Sequence, residues 1–110
     1  MTLQDKLENF KSKPVGFHVR TEEIAWLLGR TLGNIGIKGN NNKSALEATM
    51  LSWDDHGESG ELWVSVNHPL GGRGVFCDGT ISFSGEFLKE IYEVTVEELE
   101  EYLEKAGENL

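Results

Sequence analysis

Leu3, Leu7 and Phe10 recur at helical spacing near the start of the chain. They predict a helix over residues 3–11, with Thr2 as its cap and Asp5 three residues on, at the capping-box position. Pro14 disfavours helical geometry at Lys13, so this helix ends near Ser12. The period then changes. Val15, Phe17 and Val19 alternate with Gly16, His18 and Arg20, the mark of a half-buried strand. Thr21 follows as an N-cap, with Glu22 and Glu23 in the first turn, where the helix dipole favours negative charge. Ile24, Leu27, Leu28 and Leu32 form the apolar stripe of a second helix, which Gly33 or Asn34 ends.

Residues 36–43 read GIKGNNNK, and Gly and Asn tolerate left-handed geometry, so a loop is expected. In residues 45–53, Leu46, Ala48 and Met50 alternate with Glu47, Thr49 and Leu51, which predicts a strand. A polar turn over 54–60 leads to a further strand over 62–68, with Leu62, Val64 and Val66 inward, and the two make an antiparallel hairpin. Pro69 to Gly74 break the pattern. Residues 75–77 and 80–83 then flank Asp78-Gly79, a pair suited to a type I′ turn that sets Cys77 opposite Thr80 and Phe76 opposite Ile81.

Residues 86–93 fit two patterns: Phe87, Leu88, Ile91 and Tyr92 make a helical stripe, while residues 91–94 also suit a strand. Thr95 and Glu98 form a capping box for a last helix, with Leu99, Leu103 and Ala106 on one face and Gly107 as its stop. Its other face carries Glu97, Glu100, Glu101 and Glu104. Together these elements predict one α+β domain over residues 1–110. Its expected architecture is an antiparallel sheet of about four to five strands with flanking helices and a C-terminal acidic helix.

Charge sharpens this picture. The 110 residues carry 10 Lys+Arg against 19 Asp+Glu, for −9. Residues 1–52 contribute +2, residues 53–85 −4 and residues 86–110 −7. Such a balance argues against binding nucleic acid through a basic surface. It allows two explanations of the acidic segment: a solvated helix face that aids solubility, or a docking surface for a basic partner. One cysteine makes no internal disulfide, which favours a reducing compartment. No apolar run is long enough to span a bilayer, and charge in MTLQDKLENFK disfavours a signal peptide, so a cytoplasmic location is expected.

Candidate chemistry is sparse. Asp54, Asp55, His56 and Glu58 offer metal-ligating groups, but in neither an EF-hand nor a His-Glu-x-x-His spacing, and a polar turn explains them. Asn67, His68 and Arg73 surround a glycine-rich loop that would suit an anionic ligand such as a nucleotide or phosphate, although it lacks the P-loop pattern. A wide inter-strand connection explains the same residues. Cys77 in an apolar strand is more simply a small hydrophobe than a nucleophile. Trp63 falls opposite Leu62, Val64 and Val66. It is either an exposed interface aromatic or part of a second small cluster.

In size, charge and element order the chain is similar to compact acidic inhibitors, such as toxin-immunity proteins and phage-encoded inhibitors of host defence. The −7 segment and the lack of a convincing catalytic set predict a non-enzymatic binding protein that sequesters or blocks a protein partner with a basic surface. Glu97, Glu98, Glu101 and Glu104, with Asp54, Asp55 and Trp63, are its expected contact residues. The alternative is a binder or enzyme for a small anionic ligand, using Asn67, His68 and Arg73. A homo-oligomer with Trp63 in its interface is a third reading. None of these readings needs a metal or a resident cofactor.

Overall fold

The structure is a computed structural model, and it describes residues 1–12, 15–38, 43–56, 62–65, 76–78 and 90–107. Among the described residues the structure has four helices, Leu3–Ser12 (α1), Glu22–Asn34 (α2), Ala45–His56 (α3) and Val96–Lys105 (α4), and short strands at Val15–Val19 (β1), Leu62–Ser65 (β2), Phe76–Asp78 (β3) and Glu90–Tyr92 (β4).

Each helix begins where a side chain can satisfy its first free N–H groups. Thr2 Oγ1 accepts from the Asp5 N–H at 3.2 Å, and Asp5 returns a bond from the Thr2 N–H. Thr21 accepts from Ile24 N. Ser44 accepts from Glu47 N while Glu47 accepts from Ser44 N. Thr95 and Glu98 complete the same reciprocal box at α4. At its far end α2 closes in a Schellman motif: Ile37 N donates to Leu32 O and Gly36 N to Gly33 O. Gly36 takes φ +89° there, a left-handed geometry that glycine adopts without a Cβ penalty.

The strands form one mixed sheet in the order β3-β2-β1-β4. β1 lies between an antiparallel neighbour, with Phe17 opposite Val64 and His18 opposite Trp63, and a parallel one, with Phe17 beside Tyr92. β3 continues the antiparallel side, pairing Val64 with Cys77. Phe17 is central to the core: its ring centroid lies 5.1 Å from Phe10 of α1 and 5.9 Å from Tyr92. Leu7, Leu28, Leu32, Leu99 and Leu103 fill the same buried cluster. α2 lies between α3 and α4 and touches both.

These observations correct the expected α+β fold with an antiparallel sheet of four to five strands. The described residues are mostly helical, in helices of 10, 13, 12 and 10 residues, while the strands have only 5, 4, 3 and 3. Residues 45–53, expected as a strand, belong to α3. The reason lies in burial. Thr49 is fully buried and bonds Ala45 O at 2.7 Å, whereas Leu51 is exposed. Small residues make that contact: a Cβ at Gly29 of α2 would lie 2.9 Å from Leu46 Cα, so the two helices nearly touch. The hairpin expected between 45–53 and 62–68 is therefore absent, and β2 pairs with β1 instead. The hairpin expected at Asp78-Gly79 runs into residues 79–83, outside the described residues. The β1 strand, expected to be half-buried, is buried at every position except His18, which is partly covered.

Candidate functional site

α4 is anchored by Leu99 and Leu103, both fully buried. A helix turns 100° per residue, so burying these two directs Glu97, Glu101 and Glu104 to the opposite side, and all three are exposed. They form a row at i, i+4 and i+7. Within it Glu101 accepts from Lys105 at 2.9 Å. Glu98 faces another way. It accepts from the Thr95 N–H and hydroxyl and lies 3.7 Å from the Lys6 ammonium. Glu98 is therefore a structural residue first, and the row that meets solvent is Glu97, Glu101 and Glu104.

A second charged group sits just before α4. Glu93 accepts from Arg20 Nε at 2.8 Å and lies 3.0 Å from His18 Nδ1. The Arg20 hydrogen bond holds the Glu93 carboxyl below its ordinary value, partial burial opposes that shift, and His18 adds to it. The same contact holds the Arg20 guanidinium above its own ordinary value. Lys6 of α1 donates to Glu93 O at 2.9 Å, and Asn9 of α1 donates to the Tyr92 hydroxyl at 3.0 Å. The basic first half of the sequence thus clasps the entry to the acidic helix. Sequence reasoning missed this group, because Lys6, His18 and Arg20 are far from Glu93 along the chain and only the parallel β1–β4 pairing joins them.

The other expected residues are dispersed. Asp54 is exposed near the end of α3, and Asp55 lies in the same helix. Trp63 is on β2, in register with His18 on one side and Asp78 on the other. Asn67, His68 and Arg73 lie outside the described residues, as do Gly57 and Glu58 of the acidic turn. Among the described residues, no three of His, Cys, Asp and Glu come together in a way that would hold a metal ion. No described helix is long and apolar enough to cross a membrane. A surface with no counterpart in the sequence reading lies on α2: Trp26 is exposed, and the Arg30 guanidinium carbon stands 4.6 Å from its ring centroid. Its only signal in sequence is the four-residue spacing between Trp and Arg. No protein-family model matches the chain, and no curated protein and no solved structure matches it either.

Proposed function

We propose that this chain is a small non-enzymatic binding protein that sequesters or blocks a partner through that partner's basic surface, as an inhibitor or immunity protein does. The exposed row Glu97, Glu101 and Glu104 on a firmly anchored helix supports this reading. Such a row has a cost. Carboxylates four apart on a helix repel by about 0.2–0.5 kcal/mol per pair, and only Glu101 has a Lys at the compensating position. A rigid line of negative charge speeds encounter with a cationic surface and disfavours anionic competitors.

The test uses the whole chain as bait against its native extract, beside a Glu97→Lys/Glu101→Lys/Glu104→Lys variant. At low salt the wild type should retain a basic protein that the variant holds about tenfold less well or worse. Raising the ionic strength should release it. A partner that both baits retain equally, or that is indifferent to salt, would refute the electrostatic reading.

A further inference from the structure

We draw no further inference here: the strongest candidate, the outer face of α2 where the exposed Trp26 ring lies against the Arg30 guanidinium, carries nothing because nothing in the structure shows what covers it.

Discussion

Gly29→Ala and Gly33→Ala make the same chemical change in one helix, and they should move stability in opposite directions. Both remove the same backbone freedom from the unfolded chain. Both replace glycine by the best helix former, worth up to about 1 kcal/mol in a helix interior. At Gly33 a Cβ meets nothing within 4 Å. The whole effect there is favourable, about 0.5–1 kcal/mol. At Gly29 the new Cβ lies 2.9 Å from Leu46 Cα, 3.1 Å from Leu46 Cδ1 and 3.4 Å from Thr49 Cβ. The Leu46 methyl can rotate away, but its Cα moves only if α3 moves. Overpacking of that kind costs about 1–3 kcal/mol, which outweighs the helix gain and leaves a net loss of about 1 kcal/mol. The two variants should therefore differ by about 2 kcal/mol, on the order of 10 °C in Tm for a domain of this size. Urea unfolding with matched m values measures the difference, and the unfolded-state contribution cancels between the two. If Gly29→Ala proves as stable as Gly33→Ala, the close approach of α2 and α3 is refuted.

Other expectations follow from the caps, the core and the clasp. Ser44→Ala and Thr95→Ala should each cost about 1 kcal/mol in urea unfolding, since each leaves a first-turn N–H without its partner. Phe17→Ala should cost about 3–5 kcal/mol, a large part of what a domain of this kind has; near-wild-type stability would contradict the aromatic centre of the core. Glu93→Gln should destabilise at neutral pH. Because the folded Glu93 carboxyl titrates below its ordinary value, its contribution is present above that ordinary value and disappears as pH falls through the folded one. The gap between wild type and Glu93→Gln should therefore close on acidification, and a gap that widens would reverse the assigned cause.

Much of the local structure was legible in residue type. Thr2 with Asp5, Thr21, and Thr95 with Glu98 announce helix starts because a short oxygen-bearing side chain there meets free N–H groups. The outward carboxylates of α4 follow from Leu99 and Leu103 alone. Misreading α3 had a specific cause. Ser44 and Glu47 carry the same capping signal, yet the alternation over residues 45–53, followed by a stretch at 54–60 that reads as a turn, favours a strand. That alternation misleads because Ala45, Ala48 and Thr49 are buried, with Leu46 and Thr49 beside Gly29 of α2, while Leu51 faces water. The parallel pairing of β4 had no local signature, since residues 90–92 suited a helix or a strand equally and their partner lies at residues 15–17. The His18–Glu93–Arg20 group was hidden for the same reason.

The parallel register of Val15, Gly16 and Phe17 with Glu90, Ile91 and Tyr92 has a further consequence for biosynthesis. A nascent chain emerging from the ribosome must wait until residues 90–92 have been made before the central strand gains its second neighbour. Until then one side of β1 presents open N–H and C=O groups, and Lys6 and Asn9 of α1 have yet to meet Glu93 and Tyr92. Loop closure over that distance makes the step slow compared with forming α1 or α2. The central strand therefore gains its second neighbour only once residues 90–92 are available to pair with residues 15–17.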